Sequence, residues 1–451
     1  MSAGPERWAV VGGGMLGLTL ALRLAGEGRE VTLIESAATA GGLASPWRLE
    51  TPDGPVTWDR HYHVTLLSDT ALRGLLAELG LEPELRWGDT RTGYWAQERL
   101  SPVSTPSEFL ALPGLSPVAK ARLAATIAVG GRIRDWHHME QIPVAQWLTR
   151  WSGRATFERF WLPLLRAKLG EAWPDTSAAF LWATIRRLTA ARRQGLGRER
   201  FGYVAGGYAK VLDRLAARLA ERGVTLRTGA TVERVEAASG GGLTATVAGA
   251  EPEHFDRVAV TTDAPTAVRI CGGLSVEERE RLQGIRYQGI VCASLLLRAP
   301  LSPYYLTYLF DEMPFTAVVE MTALVDPAEL GGHCLVYLPR YVAPDDPLLD
   351  APDAEIRRSF VAALARMHPS VDDEAIAAFR VSRVRRVFAI PTIGYSARVP
   401  PMDTSVPGLH LVGSAQIVNG TLNVNETVQL AEAAASRLCA TASAVPARVE
   451  S

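Results

Sequence analysis

A chain of 451 residues with 47% hydrophobic and 21% charged side chains has the composition of a soluble globular protein and the length for two or three domains. Its net charge of −1 gives no basic footprint for nucleic acid. No apolar run reaches the roughly 18 residues that a membrane-spanning helix needs.

Residues 8–43 organise the rest. Residues 8–11 read as a short buried strand, Gly12, Gly14 and Gly17 form GxGxxG around Met15 and Leu16, and residues 18–24 supply the apolar face of a helix. In that pattern Gly12 permits the tight turn, Gly14 removes the side chain where a pyrophosphate approaches the backbone, and Gly17 lets the helix lie close on the sheet. The helix start offers free N–H groups and a partial positive charge to phosphates. A second strand at 30–34 closes on Glu35 and Ser36, and an acid there accepts hydrogen bonds from ribose hydroxyls. Gly41-Gly42-Leu43, with Arg48 beyond, opens a second approach to backbone and favours FAD over NAD.

A GxGxxG turn, a strand ending in Glu35 and the Gly41-Gly42 pair together resemble the start of the flavin amine oxidase, protoporphyrinogen oxidase and phytoene desaturase superfamily, a beginning shared by UDP-galactopyranose mutase. The resemblance implies an α/β protein: a Rossmann-like FAD-binding domain with an inserted substrate domain of antiparallel sheet plus helices. The FAD-binding domain is expected at 1–90, 200–270 and 385–451, and the substrate domain at 91–199 and 271–384.

A hairpin is expected at 47–58, turning at Pro52-Asp53-Gly54. Asp59-Arg60-His61-Tyr62-His63 follows, and on an extended segment two histidines at i and i+2 point the same way. Without a third ligand nearby they are not read as a metal site. The resembling family carries Asp-x-Gly-x-His beside the flavin here; Asp59 and His63 fit it, whereas His61 replaces the glycine. His63, with His61 and Tyr62, is therefore expected to shape the pocket or shuttle a proton.

Residues 69–80 read as a helix ended by Gly80, and short strands at 94–100 give way to helical segments at 106–112, 117–135, 143–151, 155–169 and 176–193. Arg186, Arg187, Arg192, Arg193, Arg198 and Arg200 read either as a solvated helix face or as a site for an anionic substrate. The apolar segment 110–129 reads as core packing rather than as a membrane contact, because Lys120 and Arg122 interrupt it.

Beyond 200, a Gly206-Gly207 turn leads into a helix and a strand at 225–228; by the resemblance, Val232 then contacts the adenine through its backbone. Gly240-Gly241-Gly242 lies between two alternating runs and marks a hairpin. Strands at 255–262, 290–297, 315–320 and 332–339 follow, the last three forming the antiparallel floor, with Tyr304, Tyr305, Tyr308, Tyr337 and Tyr341 in or beside them and a helix at 353–367. A strand from Gly408 to Gly413, then Ser414, a loop through Leu422 and Asn423, and a helix at 426–438 place N–H groups at the flavin's pyrimidine edge. The family commonly has Asp or Glu where Ser414 stands.

Cys271, Cys292, Cys334 and Cys439 show no metal spacing, and none lies near that loop, so non-covalent FAD in a reducing, cytoplasmic protein is expected. The first residues lack the layout of a signal peptide, and the small, polar tail 440–451 reads as disordered. The leading reading is an FAD-dependent oxidoreductase taking two electrons from a small-molecule substrate, with the electron acceptor open. The alternative is a mutase-like isomerase that uses reduced FAD on a nucleotide sugar without net redox change.

Overall fold

The computed structural model describes residues 4–51, 54–194 and 200–443. The expected turn residues Pro52 and Asp53, Arg198, the side chains of Arg192 and Arg193, and the tail from 444 lie outside the described residues.

Five parallel strands form the first layer, in the order Thr225–Arg227, Glu30–Ile34, Arg7–Val11, Arg257–Val260, Leu409–Leu411. Its central strand is buried on both faces, which is why it reads as an apolar run rather than an alternation. Trp8 and Val10 pack toward the helices Met15–Gly26, Gly207–Glu221 and Val424–Ser443, while Ala9 and Val11 pack toward a three-stranded sheet built from Val232–Ala237, Leu243–Val247 and Glu253–Phe255. Residues far apart in the chain thus meet in one sheet, as a discontinuous dinucleotide domain requires.

The second layer has seven strands, in the order Ile376–Ala389, Tyr287–Leu297, Cys334–Val342, Ala317–Glu320, Leu306–Leu309, Thr92–Ala96, Arg99–Pro102. It is not purely antiparallel: Leu306–Leu309 runs parallel to Thr92–Ala96, because the strands from before the helical insert join the far side of the sheet. The 14-residue strand Ile376–Ala389 crosses position 385, where the sequence placed a domain boundary. One face of this sheet, through Val291, Ala293 and Leu295, covers the helix Asp353–Met367 at Ile356, Phe360 and Leu364. Each such buried aliphatic or aromatic side chain contributes about 2 kcal/mol relative to exposure. The other face carries Ile290, Cys292, Leu296 and Tyr337 and packs in one cluster with Val56, Trp58, Leu66 and Phe201.

The helical insert closes the side. Its helix Leu162–Leu169 follows a π turn at Phe157–Trp161. Pro163 has no N–H to give to the carbonyl four residues back, and the widened turn absorbs that loss. Beyond it the helix packs on the strand Cys334–Val342. No described helix is long and apolar enough to cross a membrane.

Candidate active site

The glycine turn has one open position and two filled ones. Gly12 sits at φ +112°, and a Cβ there would meet Thr261 Oγ1 at 2.6 Å. A Cβ on Gly17 would stand 1.8 Å from the carbonyl oxygen of Gly12. Around Gly14 nothing lies within 4 Å of such an atom. Gly14 is the N-cap of a 12-residue helix with no side-chain cap and no acid in its first turn, so its leading N–H groups remain free for an anion. Met15 and Leu16 are buried in the core and fix the helix in place.

Glu35 closes the turn from the neighbouring strand. Its Oε2 accepts from the N–H of Gly13 at 2.6 Å, and its Oε1 accepts from the N–H of Ala37 at 2.7 Å and the hydroxyl of Ser36 at 3.2 Å. The carboxylate is thereby held beside the glycines with acceptor capacity left for hydroxyls. Gly13, which the motif reading passed over, is needed because a Cβ would stand 2.8 Å from that of Glu35. The second glycine pair joins the same place. Gly41 donates its N–H to the carbonyl of Gly13 at 2.7 Å, and a Cβ on Gly42 would meet the Cα of Gly14 at 3.1 Å. Leu43 follows in the short turn Gly42–Ala44. Val232 is buried at the start of the three-stranded sheet, opposite Val247.

The C-terminal loop is built with equal care. The N–H of Gly413 donates to Gln416 Oε1 at 3.2 Å, while Gln416 Nε2 donates to the carbonyls of Leu411 and Pro400. Ser414 opens the turn Ser414–Gln416 and stays half-buried. Asn423 accepts from the N–H of Glu426 at 3.0 Å and so caps the last helix. Leu422 packs against the apolar cluster of the helical insert, which also takes in Phe388 and Tyr341.

The segment after Asp59 bends at Arg60 and His61, so its two histidines do not share a face. The alternation expected for a strand does not apply, and the pair separates. His61 is buried, faces the second sheet and shares a hydrogen bond of 3.2 Å between its Nε2 and the Ser382 hydroxyl. Burial, with His63 and Arg60 nearby, lowers its pKa to about 3, so it is a neutral ring. His63 lies against Tyr208, ring centroids 4.8 Å apart, and its buried Nδ1 has no hydrogen-bond partner, Asp59 Oδ2 being 3.7 Å away. Asp59 instead accepts from the N–H of Tyr208 at 2.9 Å, over Gly207, whose Cβ would stand 3.0 Å from the same oxygen. The Tyr337 hydroxyl donates to the carbonyl of Asp59 at 2.6 Å and ties the segment to the sheet.

Tyr62 points between the layers. Its hydroxyl is 3.1 Å from that of Tyr341, which accepts a 2.5 Å hydrogen bond from Lys168 Nζ. Burial pushes the Tyr62 phenol up to about 12 and the Lys168 amine down to about 7. The sequence reading passed over Lys168; its signal was a lysine on the apolar stripe of Trp161, Leu164 and Leu165. The described members of the arginine cluster are committed elsewhere. Arg186 donates to the carbonyl of Ile133, Arg187 pairs with buried Asp69 at 2.7 Å, and Arg200 pairs with Asp89 at 3.2 Å. Among the described residues no group of three His, Cys, Asp or Glu could hold a metal ion.

Open space at Gly14 and an uncapped helix start fit a large dinucleotide with a phosphate bridge. Together with the second sheet and the helices they define a mixed α/β fold suited to a dinucleotide. The chain belongs to the flavin containing amine oxidoreductases, whose family model matches residues 16–439, and its cofactor is FAD. Its fold is similar to that of a protein from Exiguobacterium sp. 255-15 provisionally named a protoporphyrinogen oxidase, at 18% identity and a TM-score of 0.75 over 97% of this chain and 99% of that one. It is also similar to reduced UDP-galactopyranose mutase, at 15% identity and a TM-score of 0.73 over 97% of this chain and 96% of that one. A carotenoid phi-ring synthase from Streptomyces griseus is 42% identical over 78 residues, which span 17% of this chain and 15% of that protein.

Proposed function

We propose that the protein is an FAD-dependent oxidoreductase that takes two electrons, as a hydride, from a small organic substrate such as an amine, an alcohol or sugar carbon, or a desaturable C–C bond. The observation that carries this reading is the convergence of Leu422 from the C-terminal loop, Tyr341 and Phe388 from the second sheet, and the helical insert in one apolar cluster, with Tyr62 beside them. Such a chamber holds a carbon skeleton and keeps water out.

The bound cofactor supplies the two-electron acceptor. The chain supplies the rest. Gly12, Gly14, Met15, Leu16 and Gly17 form the phosphate cradle, Glu35 and Ser36 take the ribose hydroxyls, and Gly41, Gly42 and Leu43 leave room beside them. Val232 meets the adenine, and Gly413, Ser414, Leu422 and Asn423 border the ring. FAD is held without a covalent bond. His63, set beside Asp59 and Tyr208, is the residue suited to exchange a proton with substrate, His61 is a neutral wall held by Ser382, and Tyr62 reaches the chamber with its hydroxyl. Cys271, Cys292, Cys334 and Cys439 form no disulfide, which suits a reducing cytoplasm.

The isomerase alternative draws on the C-terminal loop 415–425, which resembles that of the mutase branch, and on the arginine cluster as an anion site. Arg186, Arg187 and Arg200 are committed to Ile133, Asp69 and Asp89, which supports the oxidoreductase. The test is stoichiometry: an oxidoreductase consumes one two-electron acceptor per product formed. Product formation without acceptor consumption would reject it.

A further inference from the structure

One cation in the chamber has no anion. Lys168 Nζ donates to the Tyr341 hydroxyl and lies 3.7 Å from the centroid of that ring and 5.0 Å from that of Phe388. Among the described residues no carboxylate pairs with it, and burial alone lowers its pKa. Two buried carboxylates, by contrast, are satisfied within the fold. Glu320 accepts from the N–H groups of Leu301 and Ser302 and from the Ser302 hydroxyl, and Asp69 is paired with Arg187. Lys168, Tyr62 and Tyr341 each keep part of their surface exposed instead of being sealed in the core.

The direction of the hydrogen bonds follows from the donor inventory. An ammonium has no lone pair, so the Tyr341 oxygen accepts from it; accepting from a cation makes this hydroxyl the stronger donor of the tyrosine pair, which directs its proton to the Tyr62 oxygen. Tyr62 is left with a free O–H, and Lys168 with two further N–H groups. The cluster presents donors and one positive charge between the apolar walls of Val387, Phe388 and Leu422. A protonated amine placed there would meet like charge and no strong acceptor. A carboxylate would meet opposite charge and three donors.

We infer that Lys168 and Tyr62, joined by Tyr341, recognise the carboxylate of an apolar carboxylic-acid substrate, and that the site discriminates against free amines. The inference rests on the oxidoreductase reading only in treating the ligand as a substrate. Over neutral pH the other groups facing Lys168 keep their protonation: burial holds the phenols of Tyr62 and Tyr341 and the thiol of Cys292 protonated, and His61 is neutral. On its own helix Arg166 points outward to Glu171.

The test is calorimetric titration of the FAD-loaded protein with decanoate, decylamine and 1-decanol, in the wild type and in Lys168→Met, Lys168→Arg and Tyr341→Phe. Decanoate is expected to bind at least about tenfold more tightly than decylamine, from the charge match alone. Lys168→Met should lose about tenfold or more for decanoate while 1-decanol is unchanged, Lys168→Arg should recover most of the loss, and Tyr341→Phe should fall between. Wild-type affinity for decanoate should drop about tenfold from pH 6 to pH 8, as the lysine loses its proton, and Lys168→Met should not show that drop. Unchanged decanoate binding in Lys168→Met, tighter binding of decylamine, or no decanoate binding at millimolar concentration would each overturn the inference. Lys168→Met removes an unpaired buried charge and should fold at least as well as the wild type. Lysine-dependent decanoate binding in a protein that consumes no acceptor would leave the carboxylate site standing and remove the oxidoreductase reading.

Discussion

Replacing Gly14 and Gly17 separately by alanine divides the cofactor's needs from the fold's. At Gly17 the new Cβ would stand 1.8 Å from the Gly12 carbonyl oxygen and 2.9 Å from Thr261 Oγ1. A carbon needs about 3.3 Å from such an oxygen, so the helix must retreat by more than about 1 Å from the strand it covers. Overpacking of that kind costs about 3 kcal/mol and should appear in the apo protein. Gly14 is different. Its backbone, at φ −72° and ψ 175°, suits alanine, and nothing lies within 4 Å of the added atom. The loss of a glycine N-cap and the gain from a stiffer unfolded chain roughly cancel, leaving the apo protein within about 1 kcal/mol of wild type. The same methyl fills the space we assign to the pyrophosphate, so FAD affinity should fall about 100-fold, or about 2.7 kcal/mol, and Gly14→Val should abolish it. Urea unfolding of FAD-stripped protein and titration with FAD read the two effects independently. A Gly14→Val protein that remains stoichiometrically yellow would refute the assignment of the cradle.

His63→Ala should slow substrate-linked bleaching of the flavin with little loss of FAD, measured by anaerobic stopped flow; unchanged kinetics would remove His63 from the chemistry. Asp69→Ala should cost about 3 kcal/mol, because it strands Arg187 and the N–H of Leu66, which chemical denaturation would detect. The unliganded protein should gain stability between pH 7 and pH 10. Lys168 is neutral in the fold above about pH 7, whereas in the unfolded chain it binds a proton up to about 10.5, so the unfolded state holds more protons in that window and loses them as pH rises. Lys168→Met should flatten this rise in denaturation midpoints.

The elements that announced themselves in the sequence are those whose reasons are local. The strand, turn and helix at the N-terminus needed only their own glycines and apolar spacing, and the helix Asp353–Met367 only its own periodicity. The long strand Ile376–Ala389 went unread because Arg380, Arg383, Arg385 and Arg386 fall along it and its pairing shifts register beside Gly289, which breaks the period-two pattern. Gly13 is required by a residue 22 positions away, Glu35, and so carries no local signature. His61 and His63 looked like partners because they are two apart. The bend that parts them is set by Tyr337 and Ser382, which only the assembled sheet brings near. Lys168 and Tyr341 are separated by 173 positions, and a π turn ahead of the lysine's helix helps aim one at the other.

The central claim is that this chain oxidises a bound substrate through its FAD, and the anaerobic visible spectrum of the purified protein tests it most directly. Pools of hydroxy compounds, amines, prenyl lipids, apolar carboxylic acids and nucleotide sugars would be added in turn. Bleaching of the yellow absorbance is expected with at least one pool, and with the carboxylic acids if the lysine site reads its ligand as argued. A spectrum unmoved by every pool, together with conversion of a nucleotide sugar by the chemically reduced protein and no acceptor consumed, would contradict the account.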